Sequence, residues 1–137
     1  MNKYLITLCL VFSFVNVHVA KAADFPEGKQ AARNWLSLVD SFKYDESWDT
    51  AGEYFKSMIT KGAWVTEIAG IRGAMGTVKY RKLISSRHAT VLPGAPDGQY
   101  DVMTFNSSFA NKKKAVETIT SMKDKDGEWR VVGYFIK

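Results

Sequence analysis

His88 and Glu117 are the side chains of this chain best suited to moving a proton. An imidazole titrates near neutral pH in its ordinary state, and His88 is the only histidine beyond residue 18. A Ser-His-Asp set can be assembled on paper from Ser85 or Ser86, His88, and Asp97 or Asp101. Such a set is defined by geometry rather than by presence, and nothing here resembles a nucleophile elbow. The simpler reading of His88 is a partly exposed strand histidine on the same side as Ser86 and Thr90. No His-x-His or His-x-x-x-His spacing occurs. Metal ligands, cofactor and catalytic residues are all expected to be none.

Glu117 draws attention through its place in a hairpin. Asp124-Lys125-Asp126-Gly127 is a strong turn signal. If it sets Lys123 opposite Glu128, Glu117 falls opposite Tyr134, Ile119 opposite Val132 and Ser121 opposite Arg130. A carboxylate, a phenol and a guanidinium then share one sheet face, and Glu117, Tyr134 and Arg130 become the candidate ligand-binding residues. A bulge at the turn would shift this register, and one step reverses every side chain. Two readings stand. Glu117 and Tyr134 form a structural hydrogen bond with Arg130 nearby, or the three line a cleft in which Glu117 serves as a general acid or base. Arg72 and Arg81 flank the Gly73–Gly76 bend and read as exposed loop cations, or alternatively as an anion site. Pro93, Pro96 and Asp97 belong to a Pro- and Gly-rich connector of specified shape, Pro93–Gly98, and form a candidate interaction loop.

The elements that must position these groups follow from hydrophobic period. Glu27 to Asp40 carries Ala31, Ala32, Trp35, Leu36 and Val39 at helical spacing. A second helix is expected from Asp45 or Ser47 through Met58, with Trp48 and Ala51 on its apolar stripe. Thr60 is a suitable N-cap for a third, through about Ile71, with Gly70, Gly73 and Gly76 bracketing its end. Strands follow: Lys79 to Leu92 with a bend near Ser85-Ser86, Tyr100 to Phe109, Lys114 to Lys123, and Glu128 to Ile136. Along the second, Asp101, Met103, Phe105, Ser107 and Phe109 share one face. Trp35, Trp48, Trp64 and Trp129 are read chiefly as core. The expected fold is α+β: three N-terminal helices on a curved four-stranded antiparallel sheet, with a cleft between the layers.

The first 22 residues read as a signal peptide. Lys3 precedes an apolar run from Tyr4 to Val19, and Ala20-Lys21-Ala22 supplies the small-x-small site, with cleavage before Ala23. Ser13, Asn16 and His18 interrupt the run, which is short for a span. Residues 23–137 then form one domain, exported to the periplasm or medium, with no stable membrane insertion after cleavage. The single cysteine, Cys9, leaves with the leader, so the domain rests on packing without disulfides. The whole chain carries 19 basic and 14 acidic residues, a formal net charge of +5. Loss of Lys3 and Lys21 reduces this to about +3. No nucleic-acid partner is expected, because the basic residues are dispersed; Lys112-Lys113-Lys114 reads as a solvated turn that discourages edge pairing.

Several phrases stand out together: Trp35-Leu36 with Val39-Asp40, Tyr44 through Ser47-Trp48, and the run Leu92-Pro93-Gly94-Ala95-Pro96-Asp97-Gly98-Gln99-Tyr100. Phe109-Ala110-Asn111-Lys112-Lys113, Glu117-Thr118 and Asp126-Gly127-Glu128-Trp129-Arg130-Val131-Val132-Gly133-Tyr134 join them. In these phrases the chain resembles the small exported bacterial proteins of the family of unknown function DUF4019. The resemblance implies a cystatin/NTF2-like fold and brings no activity with it. The function expected is therefore an exported, non-enzymatic binding or interaction module for an envelope protein, peptide or small molecule, with a homodimer as a further option. The alternative is a small cleft enzyme using Glu117 or His88 as acid or base.

Overall fold

Pro26 begins the first helix, a position where its missing N–H and fixed φ do no harm. The computed structural model describes residues 26–137, so the expected leader and the expected cleavage site at Ala22-Ala23 lie outside the described residues. Helix α1 spans Pro26–Asp40 and buries Ala32, Trp35, Leu36 and Val39. The single helix expected up to Met58 is instead two, α2 (Tyr44–Asp49) and α3 (Glu53–Met58).

Gly52 is where they part. Its backbone is extended, at φ −70° and ψ 161°. Its N–H donates to the Val131 carbonyl at 2.8 Å, and a Cβ built on it would stand 2.8 Å from Val132 Cγ1. The chain thus leaves the helix to touch the sheet at a point with no room for a side chain. Helix α4 spans Lys61–Met75, and the Thr60 hydroxyl caps it by accepting from the Ala63 N–H at 3.3 Å. It runs through Gly70 and Gly73 and stops at Gly76, whose φ is +79°. There are four helices among the described residues, where the sequence suggests three.

Four strands follow, β1 (Val78–Ala89), β2 (Tyr100–Phe109), β3 (Lys112–Lys123) and β4 (Trp129–Ile136), paired in the order β1-β2-β3-β4 as an antiparallel meander. The chain is α+β, with helices on one side of an open sheet. The bend expected in β1 is a register irregularity between Leu83 and Ser85. The β2 face picked out by alternation is the buried one: Asp101, Met103, Phe105, Ser107 and Phe109 all point inward.

The core lies between α1, α4 and the inner face of β2–β4, and it is centred on aromatic rings. Trp35 stands 5.6 Å from Trp64, 5.3 Å from Tyr134 and 6.2 Å from Phe55, which meets Trp64 edge-on at 5.0 Å. Buried indoles need acceptors. Ser47, fully buried, supplies two: its carbonyl takes the Trp35 Nε1–H at 2.7 Å and its hydroxyl the Trp64 Nε1–H at 3.0 Å. That serine ties α1, α2 and α4 together.

Candidate functional site

The inner face of the sheet ends, beside the C-terminus of α1, in four charged groups. Glu117 of β3 is 0% exposed. Arg81 of β1 reaches it across β2, with Nε donating to Oε1 at 2.7 Å and Nη2 to Oε2 at 3.0 Å. Ser107 donates to Oε1 and Tyr134 to Oε2, the latter at 2.5 Å. Four donors fill the four lone-pair positions of a carboxylate. The other end of Arg81 grips Asp40, at 2.6 Å from Nη1 and 3.0 Å from Nη2. Arg72 of α4 donates to Asp40 Oδ1 at 2.8 Å and lies over the Phe109 ring, 4.8 Å from its centroid. Two carboxylates and two guanidiniums cancel formally, and together they link α1, α4, β1 and β3.

Burial pushes the Asp40 carboxyl up, but hydrogen bonds and charge from Arg81 and Arg72 outweigh it, and its pKa lies below the ordinary 3.8. Tyr134 is held above the usual phenol value, first by burial and then by the Glu117 charge, which keeps it a donor. Burial tends to lower Arg81, yet Asp40 and Glu117 raise it beyond an ordinary guanidinium.

Glu117 and Tyr134 therefore meet, although not by the expected register. β4 carries one extra residue at Val132, because Thr120 pairs with Gly133 while Ser121 pairs with Val131. Tyr134 sits opposite Ile119, and its ring reaches diagonally to Glu117. Arg130 is a correction: it sits beside Met122 rather than Ser121 and is not near Glu117. It binds Asp124 at 2.9 Å and Asp126 through two bonds of 2.9 and 2.8 Å. Those bonds hold Asp126 down at a pKa of about 2. The guanidinium on Glu117 is Arg81, and the reading of Arg72 and Arg81 as exposed loop cations is also corrected. Arg72 is 1% exposed, and the anions both residues bind are the chain's own.

A groove of about 370 Å³ opens above this cluster between α1 and β1, walled by Arg33, Ser37 and Ser41 and floored by Leu36, Leu83 and Phe105. His88 stands further along β1, with Nδ1 3.3 Å from Asp101 Oδ1. Ser86 shares its face, while Ser85 pairs with Thr104 on the other side. Asp97, with Pro93 and Pro96, is exposed in the β1–β2 connector. That connector is pinned: Tyr54 donates to the Gly94 carbonyl at 2.7 Å, Tyr100 to the Pro96 carbonyl, and Gly98 N–H to Thr90 at 3.0 Å. Among the described residues no group of three or more His, Cys, Asp or Glu side chains is placed to hold a metal. No described helix is long and apolar enough to cross a membrane.

Ser47, Asp40 and Arg81 were not singled out by sequence for the roles they hold. Asp40 is marked by ending an amphipathic helix and by the Val39-Asp40 phrase, and Arg81 by flanking the Gly73–Gly76 bend, and neither signal names its partner.

A solved structure from Catenulispora acidiphila has a similar fold, with a TM-score of 0.54 at 12% identity, covering 82% of this chain and 88% of that one. At that identity the likeness concerns the fold alone. No curated protein matches the chain. The model of a family described as "Protein of unknown function (DUF4019)" matches residues 31–134 and so takes in Asp40, Arg72, Arg81, Glu117 and Tyr134. With most of its length and its whole buried ion cluster inside that match, the chain belongs to the DUF4019 family.

Proposed function

We propose that this chain is an exported, non-enzymatic binding module for an envelope protein, peptide or small molecule, built on a cystatin/NTF2-like architecture. The observation that carries the reading is the saturation of Glu117: four donors occupy its oxygens, the residue is 0% exposed, and no lone pair remains to accept a substrate proton. The pinned Pro93–Gly98 connector supports it, since a loop already shaped loses little entropy on recognition. The Ala20-Lys21-Ala22 pattern supports export.

One observation favours a second reading, a cleft enzyme with His88 as acid or base: a carboxylate, Asp101, orients its imidazole. Thermal-shift measurements across envelope peptides, lipids and small metabolites separate the two. A binding module gains a saturable rise in Tm with at least one of them. Silence across that panel, together with turnover of a model substrate lost in His88→Ala at unchanged Tm, rejects the binding reading in favour of the enzyme. Export is checked by the N-terminal residue of protein recovered from an expressing bacterium, expected to be Ala23.

A further inference from the structure

The sheet has a second face, away from the helices, and its chemistry is one-sided. Only two acids occur within the four strands, Asp101 and Glu117, and both point inward. Register places Lys82, Arg87 and Lys114 outward, the first two opposite Asn106 and Val102. Arg130 also lies on this side but is neutralised by Asp124 and Asp126. Between the cations run the half-buried hydroxyls of Thr104, Thr118 and Thr120. Two aromatic rings stand free of the core, Tyr80 at 53% and Phe135 at 65% exposed. A depression of about 470 Å³ opens between Tyr80, Asn106, Ser108, Lys114, Val116 and Lys137.

Resting on the binding-module reading, we propose that this outer face docks an extended, acidic polypeptide segment in which carboxylates alternate with apolar side chains. The carboxylates meet Lys82, Arg87 and Lys114; an apolar side chain enters the depression against Tyr80 and Val116; and the threonine row hydrogen-bonds to the segment's backbone. Charge complementarity selects this occupant. A second copy would set one unbalanced basic face against another. An acyl layer would leave the hydroxyls and Asn106 without partners. Addition of the segment as a fifth strand is opposed by β1 itself, whose edge is broken by irregularities at Val78/Tyr80 and Leu83/Ser85 and studded with Lys79, Lys82 and Arg87.

The test uses the purified protein, isotope-labelled, with a short synthetic peptide alternating Glu and Val, its Lys–Val counterpart, and phosphatidylglycerol vesicles. The Glu–Val peptide is expected to bind, to shift the amides of Thr118, Thr120 and Phe135, and to weaken as salt is raised. The double variant K82E/K114E should weaken Kd by about tenfold or more at unchanged Tm, because both lysines are solvated rim charges. The Lys–Val peptide should not bind. No binding of the Glu–Val peptide overturns the proposal, as do shifts confined to the α1–β1 groove, tighter binding to vesicles than to peptide, or a dimer that protects the face. A groove result removes the surface assignment and leaves the binding module standing; that reading fails on the silent ligand panel with His88-dependent turnover.

Discussion

Arg81 on β1 and Glu117 on β3 are joined at 2.7 Å although a whole strand lies between them. The guanidinium crosses β2 above Ser107, which donates to the same carboxylate oxygen. Through its other nitrogens Arg81 also fixes Asp40 at the end of α1. One side chain thus sets the distance between the helical layer and the sheet where apolar packing gives way to polar groups.

Removing one member of such a cluster exposes the cost of burying the rest. Glu117→Gln replaces an acceptor with an amide whose NH2 faces donors from Arg81, Ser107 or Tyr134. Breaking a buried ion pair from one side costs about 3–5 kcal/mol, and urea unfolding should show a loss of that order. Tyr134→Phe should cost less, about 1.5–3 kcal/mol for a bond to a charged acceptor. The double variant should fall short of the sum, because both changes delete the same bond. A loss under about 1 kcal/mol for Glu117→Gln would mean that the cluster is dispensable to the fold.

Asp40 and Tyr134 give the fold opposite pH limits. The Asp40 carboxyl binds its proton less readily in the folded state, below its ordinary 3.8, because Arg81 and Arg72 outweigh the effect of burial. Its contribution is full above about pH 3.8 and is lost as pH falls through the lower folded value. Asp40→Asn should be less stable than the native chain near neutrality, and the gap should close in acid. Tyr134 is shifted up, so its contribution is full below pH 10.0 and is lost as pH rises beyond. Tyr134→Phe should flatten that alkaline limb. Some slope should remain from Tyr44 and Tyr100, both raised by burial. Chemical denaturation across pH reads both; a gap for Asp40→Asn that does not narrow in acid contradicts the assignment.

Gly52 should be intolerant of even a methyl group. A Cβ there meets Val132 Cγ1 at 2.8 Å and Arg130 Cβ at 3.5 Å. The Gly52 N–H is also the donor that ties the α2–α3 junction to β4. Gly52→Ala should destabilise by about 1–3 kcal/mol, the usual cost of overpacking, and should speed amide exchange at Gly52. Gly62→Ala, with nothing within 4 Å of the added carbon, is the control and should be neutral or stabilising.

The contrast between Gly52 and β2 shows what the sequence could carry. Alternation along Tyr100–Phe109 marks the buried face directly, because burial of a strand is written in its own residues. The break at Gly52 depends on where Val131 and Val132 arrive, and nothing within Asp45–Met58 records that. Glu117 and Tyr134 were legible as neighbours because one turn joins their strands. Arg81 was not, since its partners lie 36 and 41 residues away along the chain. Arg130 misled for the reverse reason. The extra residue at Val132 turns it to the outer face, and Asp126, four residues off in the turn, offers two bonds there at little cost in chain closure.

The Pro93–Gly98 connector owes its shape to α3 as much as to its prolines. Tyr54 donates to the Gly94 carbonyl across 40 residues of sequence, while Gly94 itself sits at φ +75°, a conformation that favours glycine. Tyr54→Phe keeps the ring and deletes that bond. Global stability should fall by only about 0.5–1.5 kcal/mol, but the local effect should be larger, because Pro93 and Gly94 at the tip are exposed. Hydrogen exchange should quicken at Ala95 and Gly98, whose N–H groups bond within the connector, and remain unchanged at Val116 in the sheet, whose N–H bonds to the Lys137 carbonyl. Should the connector serve as a recognition lip, the same variant should also weaken any ligand that protects Asp97, since the loop would have to be ordered at the moment of binding. Equal exchange at Ala95 and Gly98 in both proteins would mean that the prolines alone fix the loop.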